Sequence, residues 1–408
     1  MLTQSLNFLL LSIVFITPLL PVQFGFGYEL IKVLVFLTLS ILSGLIFVYL
    51  LGKKTIKIHW TKIKIAGLIF LLVLTITSII GIHPFESLVG IYPYYQGLIL
   101  YWFLFVFYLM ISESKISDKI LGKIITSSAL IVAIFAIFQF ILLNIFKVEI
   151  PTYAGRVVST FGQPNLYSGF LLLALPFAYE LKRQKYWILG LISLGILVSF
   201  SKAAIILLFG FVIITSFKLL KHKGLVVFCL VVFFLNVIVF SLKESTGILW
   251  SEVLKPLGQT GVENYQVERR IYIYPVLLEE YFKSPLLGFG IDSINSRYKE
   301  HFAGFKPELK NYPPLYFNLM NLNIDRSHNY FLDLLVFSGV LGLSSYLYLI
   351  YQVFKKPAPS YLKIVLALYL IWVQFQVQSI VQLMIFWLVL GNVDKKIIVD
   401  RNKKLKDY

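Results

Sequence analysis

The chain has 408 residues, of which 58% are hydrophobic and only 14% are charged. Soluble domains hold about a quarter charged residues, so the composition excludes an ordinary soluble protein. The formal net charge is +17, yet most basic residues lie in short segments between long apolar runs. That distribution is typical of a membrane protein and not of a nucleic-acid-binding protein. The single cysteine, Cys229, excludes an internal disulfide.

Long apolar runs recur from one end of the chain to the other. Apolar runs of 17 or more residues are long enough as helices to cross a hydrocarbon core of about 30 Å, so we predict an all-α polytopic membrane protein of about twelve spans. The first run is interpreted as a retained span, because no Lys or Arg precedes it as in a signal peptide. The predicted spans lie near residues 6–22, 28–51, 65–82, 95–112, 120–146, 164–181, 186–200, 203–220, 224–242, 328–354, 361–376 and 379–393.

The positions of Lys and Arg predict which side of the membrane each connection faces. All of the most basic connections fall on the same side of the twelve predicted spans, so both termini are expected in the cytoplasm. These segments hold 23 of the 37 basic residues and are residues 52–64, 113–123, 182–185, 218–223, 355–363 and 394–408.

The same pattern divides the chain into four parts. Residues 1–242 are predicted to hold transmembrane helices 1–9, and residues 328–393 to hold helices 10–12. Between them, residues 243–327 form one long extracytoplasmic loop. Residues 394–408 form a basic cytoplasmic tail.

The long loop at 243–327 contains ten basic and ten acidic residues. A connection of about 85 residues is too long to be structureless in a compact protein, so we predict that it folds as a small helical cap. Residues 267–283 carry apolar side chains near helical spacing, which predicts an amphipathic helix interrupted at Pro275.

Three segments on the predicted outer side carry unusual polar residues, and the first surrounds "STFGQPN" (159–165). Arg156 precedes it, and Gln163 and Asn165 lie where a span begins. Helix N-termini expose amide donors and favour anions. An interfacial arginine that reaches toward lipid headgroups, with Asn165 as an N-cap, is the simpler alternative. Lys202, in a tight connection on the same side, either adds positive charge to a shared pocket or caps a helix.

The second segment contains the pair Arg269 and Arg270 in the long loop. The planar guanidinium fork matches phosphate oxygens bidentately, so paired arginines indicate a site for a diphosphate. An ion-pair network with nearby glutamates is the alternative.

The third segment is "DRSHNYFLDLL" (325–335). His328 and Asn329 begin a predicted span, Arg326 precedes them, and Asp333 lies deeper. An acid inside a span is costly, and it indicates either a functional site or a pairing with a neighbouring helix. No motif typical of a metal site occurs on the outer side, so neither a metal nor another cofactor is expected.

Together, the three segments resemble the O-antigen ligase and O-antigen polymerase superfamily over roughly residues 150–345. Two positions depart from the family pattern: Tyr274 stands where tryptophan is common, and Phe337 stands where a second acid is common. The resemblance rests on the order and spacing of Arg156 with "STFGQPN", Arg270 with Tyr274 and "PLLGFG" (285–290), and "HNYFLD" (328–333) with Gly339 and Gly342.

The resemblance implies a glycosyltransferase that takes a glycan from a polyprenyl diphosphate at the extracytoplasmic face of the cytoplasmic membrane. Arg156 and Arg270 would hold the diphosphate and stabilise charge on the leaving group. His328 would accept the proton of the acceptor hydroxyl, since imidazole titrates near the working pH. The substrate-binding residues implied in addition are Gln163, Asn165, Lys202, Arg269, Tyr274, Arg326, Asn329 and Asp333.

Several alternatives stay open at this point. The acceptor is a lipid A core in ligases, another lipid-linked repeat unit in polymerases, or a protein hydroxyl. A lipid-linked glycan transporter also fits twelve spans, but transporters place polar sites near the midplane, often in repeated halves. Here the polar residues crowd one side, which favours an enzyme. The expected partners are the lipid-linked donor, an acceptor hydroxyl and membrane lipids, without nucleic acid.

Overall fold

The computed structural model describes residues 2–22, 27–181, 185–219, 266–303 and 324–404. Within these ranges the chain is helical and has no β-strand, which confirms the predicted all-α class. Side chains are described throughout, except at residues 185, 214, 216–219, 266–272, 302–303 and 396–404.

The helices of the described residues follow the apolar runs in chain order. A short 3₁₀ turn, Thr17–Leu19, extends the first of them. The helices are α1 (Leu2–Ile16), α2 (Leu30–Gly52), α3 (Lys62–Ile79), α4 (Pro84–Val89), α5 (Leu98–Glu113), α6 (Asp118–Asn144), α7 (Pro164–Tyr179), α8 (Lys185–Leu197), α9 (Lys202–Leu219), α10 (Gln266–Lys283), α11 (Ile294–Ala303), α12 (Tyr330–Phe354), α13 (Ser360–Trp372) and α14 (Ile380–Lys404).

Five of the described helices are long and apolar enough to cross a membrane by length and composition: α1 with its 3₁₀ turn, α2, α3, α6 and α12. Four further apolar helices, in α5, α8, α9 and α13, are shorter. The ninth predicted span, residues 224–242, lies outside the described residues. The total number of crossings and the side of each terminus therefore stay predictions.

The bundle is built from a few long helix–helix contacts. Helix α12 packs along α3, α14 packs along α5, and α6, α7 and α8 pack on one another. Aromatic rings fill the α3–α12–α14 interface, where Tyr346 contacts Phe70 and Phe386 with ring centroids 5.4 and 6.0 Å apart. These contacts fix where α12 begins, and α12 carries the third polar segment at its start.

Helices α10 and α11 form the described part of the predicted cap and pack against α12. Ile273 and Leu277 of α10 share a small core with Leu332 and Val336 of α12. The predicted interruption at Pro275 is wrong, because α10 runs unbroken through that residue. Proline lacks the amide that donates a hydrogen bond inside a helix, but the packing of α10 against α12 keeps α10 helical through Pro275.

A buried carboxylate holds α10 to α11. Glu280 is fully buried and accepts hydrogen bonds from Arg297 Nε and His301 Nδ1, each at 3.0 Å. Burial alone would raise the pKa of Glu280, but hydrogen bonds from Lys283, Arg297 and His301 hold it below its usual value. The stabilisation is therefore present above the ordinary glutamate pKa and is lost as the pH falls through the lowered one.

The "PLLGFG" turn replaces helical hydrogen bonds at a kink in α12. Gly339 has non-helical angles, φ 61° and ψ −164°, inside α12. The carbonyls of Val336 and Phe337 accept instead from the amides of Phe289 and Gly290, at 2.9 and 2.8 Å. The exchange is reciprocal, because the amide of Val340 donates to the Pro285 carbonyl at 2.8 Å. Two of the sequence motifs are therefore the two halves of one backbone junction.

Glycine is required on both sides of this junction. A Cβ on Gly288 would lie 2.6 Å from the backbone of Phe337, and a Cβ on Gly339 would lie 2.3 Å from the backbone of Leu286. Both residues also have positive φ, at 65° and 61°. We expect Gly288→Ala and Gly339→Ala each to destabilise the protein by about 1–3 kcal/mol, measured as a lower thermal unfolding midpoint in detergent.

Gly210→Ala is the matched control, because a Cβ on Gly210 in α9 meets nothing within 4 Å. Alanine favours a helix more than glycine does, so this variant should unfold at the wild-type temperature or above it. Equal thermal unfolding midpoints for Gly288→Ala, Gly339→Ala and Gly210→Ala would contradict the requirement for glycine at the junction.

Candidate functional site

Helices α7 and α12 begin beside the same connecting segment, residues 373–379. Asn165, in the first turn of α7, donates from Nδ2 to Gln376 Oε1 at 3.0 Å. Tyr330, the first residue of α12, donates its amide to the Val373 carbonyl at 2.8 Å. The first and third polar segments of the sequence therefore lie at one end of the bundle, which we call the motif end.

Helix α2 also begins at the motif end, where its first turns carry a buried acid, Glu29, and a buried lysine, Lys32. The Glu29 carboxylate accepts the amide of Ile380, the first residue of α14, at 2.7 Å. Lys32 lies 4.4 Å from the Phe161 ring centroid and donates to carbonyls at the end of α1, including Thr17 at 3.4 Å. Both side chains are buried. Lys32 thus joins the turn after α1 to "STFGQPN", and Glu29 joins the start of α2 to the start of α14.

Arg156 lies in a tight turn that faces the start of α9. The amide of Arg156 donates to the Tyr153 carbonyl at 3.1 Å, and Tyr153 donates back at 3.0 Å. Gly155 has φ +68° in this turn, a conformation that glycine adopts without strain. The guanidinium is half-buried and lies 3.5 Å from the Phe200 carbonyl, two residues from the exposed Lys202. The two predicted cations thus share one corner of the motif end.

His328 is half-buried and has φ +62°. That conformation is uncommon for a residue with a side chain, although histidine is one of those that tolerate it. Asn329 is the N-cap of α12, since its Oδ1 accepts the amides of Phe331 and Leu332 at 3.0 and 3.2 Å. Its carboxamide NH₂ group is not needed for the cap. The predicted substrate contact of Asn329 therefore rests on this NH₂ group.

Asp333 holds the loop that carries His328. Its Oδ1 accepts the Ser327 amide at 2.9 Å and the Ser327 hydroxyl at 2.6 Å. Both residues are buried. Asp333, the acid inside the predicted span, therefore accepts hydrogen bonds from its own segment. These bonds position the backbone next to His328.

Arg326 is buried in an ion pair. Its guanidinium pairs with the buried carboxylate of Asp292 and lies 5.1 Å from the Phe337 ring centroid. Burial alone would lower the pKa of the Arg326 guanidinium, but the nearby Asp292 and Asp333 raise it above its usual value. Arg326 therefore stays charged. Its ion pair with Asp292 joins the His328 loop to the segment between α10 and α11.

A group of tyrosines lies between the Arg156 turn and the His328 loop. The Tyr28 ring meets Tyr153 edge-on, with centroids 6.2 Å apart, and meets Tyr94 at 6.5 Å. Burial raises the pKa of Tyr94, and the carboxylate of Asp325, three residues before His328, raises it further. The ring contacts therefore run from the Arg156 turn to Tyr94, and the Asp325 carboxylate of the His328 loop lies near their end.

The second polar segment of the sequence lies in α10. The backbone of Arg269 and Arg270 belongs to α10, whereas their side chains lie outside the described part of the chain. Tyr274, one helical turn further along, is half-buried against the core shared by α10 and α12. Gln163 is buried at the N-cap position of α7, and its side chain makes no capping hydrogen bond.

A second buried charged cluster lies at the opposite end of the bundle. Lys64 pairs with Glu113 and lies 3.7 Å from Asp394, which also accepts hydrogen bonds from Tyr108 and Thr61 at 2.8 and 2.9 Å. It joins α3, α5 and α14. Among the described residues, no group of three or more His, Cys, Asp or Glu side chains is arranged to hold a metal ion.

The Arg326–Asp292 pair gives a direct test of this arrangement. Asp292→Asn leaves a buried guanidinium without its counter-charge, which costs about 3–5 kcal/mol when one partner of a buried pair is lost. Asparagine also tolerates the positive φ of 64° at this position. We expect a large fall in the thermal unfolding midpoint, and recovery of part of it in the double variant Asp292→Asn with Arg326→Met. A double variant less stable than the single variant would contradict the ion pair.

Comparison with known families gives a match within the chain. The family model described as O-antigen ligase matches residues 187–347. The match includes α10, the "PLLGFG" junction and the His328 loop, and it begins after Arg156. A comparison with the curated proteins gave no match.

Proposed function

Because the chain belongs to the O-antigen ligase superfamily, we propose that it is a glycosyltransferase of cell-surface polysaccharide biosynthesis. It moves a glycan from a polyprenyl diphosphate to an acceptor hydroxyl, as a ligase does. The observation that carries the proposal is the convergence of α7 and α12 on residues 373–379. That convergence puts the Arg156 and His328 segments at the same end of a membrane bundle.

The motif end is proposed to face the extracytoplasmic side of the cytoplasmic membrane, with about twelve spans and both termini in the cytoplasm. Helices α2 and α12 begin at the motif end and finish at the basic segments 52–64 and 355–363. The positive-inside rule places those segments in the cytoplasm. Donor nucleotides are not needed on the other side, since the bond to a lipid diphosphate is already activated.

The donor diphosphate is proposed to bind between Arg156 and Arg270, with Lys202 adding charge at the Arg156 corner. Arginine presents a fixed fork of donors to phosphate oxygens. As the sugar leaves, negative charge grows on the departing diphosphate, and cations already in place stabilise it. Gln163, Asn165, Arg269 and Tyr274 would complete the walls of this site.

His328 is proposed to accept the proton of the acceptor hydroxyl. The hydroxyl oxygen forms a bond to the anomeric carbon of the donor sugar while the bond from that carbon to the phosphate oxygen breaks. The lipid diphosphate leaves with the bonding electrons, and the hydroxyl proton passes to the imidazole. Attack opposite the diphosphate inverts the anomeric centre. Asn329 would orient a sugar or phosphate oxygen through its NH₂ group, while Asp333 and Arg326 position the loop.

The test is transfer from a defined polyprenyl-diphosphate-linked glycan by purified variants. We expect Arg156→Ala and Arg270→Ala to lose about 100-fold or more in rate, as removal of one charge-stabilising donor does. His328→Asn should lose a similar factor, since a general base contributes about 100- to 10,000-fold. Asparagine is chosen because it tolerates the positive φ of His328.

Two exposed or half-exposed residues give matched controls: Lys299→Ala in α11 and His83→Asn beside α4. Both should transfer at the wild-type rate. Normal transfer by all three site variants at normal protein level would disprove the mechanism.

A ladder of products would identify repeat-unit polymerisation, whereas one product indicates transfer of the whole glycan. Movement of the intact lipid across a bilayer without transfer would identify a transporter.

A further inference from the structure

Four tyrosines and one acid at the motif end form a cluster that the transfer mechanism does not use. It consists of Tyr28, Tyr92, Tyr94, Tyr153 and Asp325, and we call it the tyrosine cluster. The Tyr28 ring meets the rings of Tyr153 and Tyr94, with ring centroids 6.2 and 6.5 Å apart. Tyr94 is buried, and Pro93, between Tyr92 and Tyr94, lies against Gly27, the residue before Tyr28. Burial raises the pKa of Tyr28, and the nearby Tyr153, Tyr92 and Asp325 raise it further. The segments that supply these residues precede α2, α5, α7 and α12, so only the folded chain brings them together.

The cluster presents both apolar rings and polar groups to the surroundings. Tyr92 is 59% exposed, and Tyr28, Tyr153 and Asp325 are half-buried. A tyrosine ring combines a flat apolar face with a polar hydroxyl. Such faces complement the C–H face of a pyranose ring, while hydroxyls and a carboxylate complement its hydroxyl groups. A ligand that is apolar on its faces and polar around its edge matches this chemistry.

The cluster also lies where a transferred sugar must lie. Tyr153 shares the tight turn of Arg156, the proposed diphosphate contact. Asp325 belongs to the loop of His328, the proposed proton acceptor. A sugar linked to the diphosphate and attacked by the acceptor must lie between these two groups. We infer that the tyrosine cluster is a sugar subsite, which binds the pyranose ring attached to the lipid diphosphate. The inference rests on the proposed function.

Tyrosines at a membrane interface often serve only as anchors in the headgroup region. Two features separate this cluster from such a belt. The rings of Tyr94 and Tyr153 both pack on Tyr28. Burial raises the pKa of Tyr28 and Tyr94, and the Asp325 carboxylate nearby raises both further. An anchoring belt shows no preference for sugar over lipid, whereas a sugar subsite distinguishes a sugar-bearing lipid from a bare one.

The experiment compares two probes with the full-length protein in lipid nanodiscs. One probe is polyprenyl diphosphate, and the other is the same lipid with one neutral hexose on its terminal phosphate. Tyr92→Leu and Tyr153→Leu keep apolar bulk but remove the flat ring, whereas Tyr92→Phe and Tyr153→Phe keep the ring. Tyr351→Leu, at the opposite end of α12 and 54% exposed, is the matched control. Affinity is measured by microscale thermophoresis.

We expect each leucine variant to bind the sugar-bearing lipid up to about tenfold more weakly than wild type, because an aromatic contact is worth about that factor. The bare lipid should bind unchanged, and the phenylalanine variants should retain most of the affinity for the sugar-bearing lipid. The Tyr351→Leu variant should bind both lipids as the wild type does.

The other outcomes separate the two proposals. If the wild type prefers the sugar-bearing lipid and the leucine variants keep that preference, the sugar subsite is overturned while the proposed function stands. Equal weakening of both lipids also overturns it, since the tyrosines then support the diphosphate or the fold. If the wild type binds neither lipid, the proposed function itself fails, and the subsite falls with it.

Discussion

Inside a membrane no water reaches a buried polar group, so such a group is costly unless it finds a partner within the protein. That constraint explains the arrangement of the motif end. The Glu29 carboxylate meets the first amide of α14, and Asn165 meets Gln376. Asp333 is satisfied by Ser327 in its own segment. Polar residues that lie far apart in the sequence therefore meet at the motif end, and Lys64, Glu113 and Asp394 meet in the same way at the opposite end.

The same constraint accounts for the kink in α12. A helix that breaks at Gly339 leaves the carbonyls of Val336 and Phe337 without their usual amide donors, and the turn at 285–290 supplies the missing donors. The kink therefore fastens α12 to the segment that follows α10. Arg270 belongs to α10, and His328 lies just before α12 begins. The junction between residues 285–290 and α12 therefore connects the two elements that hold these proposed catalytic residues.

Hydropathy predicted the all-α class because long apolar runs have one stable form in a membrane. The motifs at Arg156 and His328 were visible because arginine, asparagine and histidine stand out at the start of an apolar run. The N-cap role of Asn329 also follows from local sequence. Local pattern misled at Pro275, where packing of α10 on α12 outweighed the missing amide.

Other features depend on contacts between distant segments, which no local pattern encodes. Arg326 resembled a phosphate contact in the sequence, but in the fold it pairs with Asp292 from the segment before α11. Lys32 binds carbonyls at the end of α1, and the tyrosine cluster joins four connections. In each case the partner is set by how the helices pack, so the residue type was visible and its role was not.

The central claim is that the motif end binds a lipid-linked diphosphate beside Arg156 and the His328 loop. The most direct measurement is a cryo-EM structure of the protein in a lipid nanodisc with polyprenyl diphosphate bound. We expect phosphate oxygens at hydrogen-bonding distance, about 2.7–3.2 Å, from the Arg156 guanidinium, with His328 facing the terminal phosphate. A diphosphate bound near the middle of the bundle, or beside Lys64 at the opposite end, would contradict it.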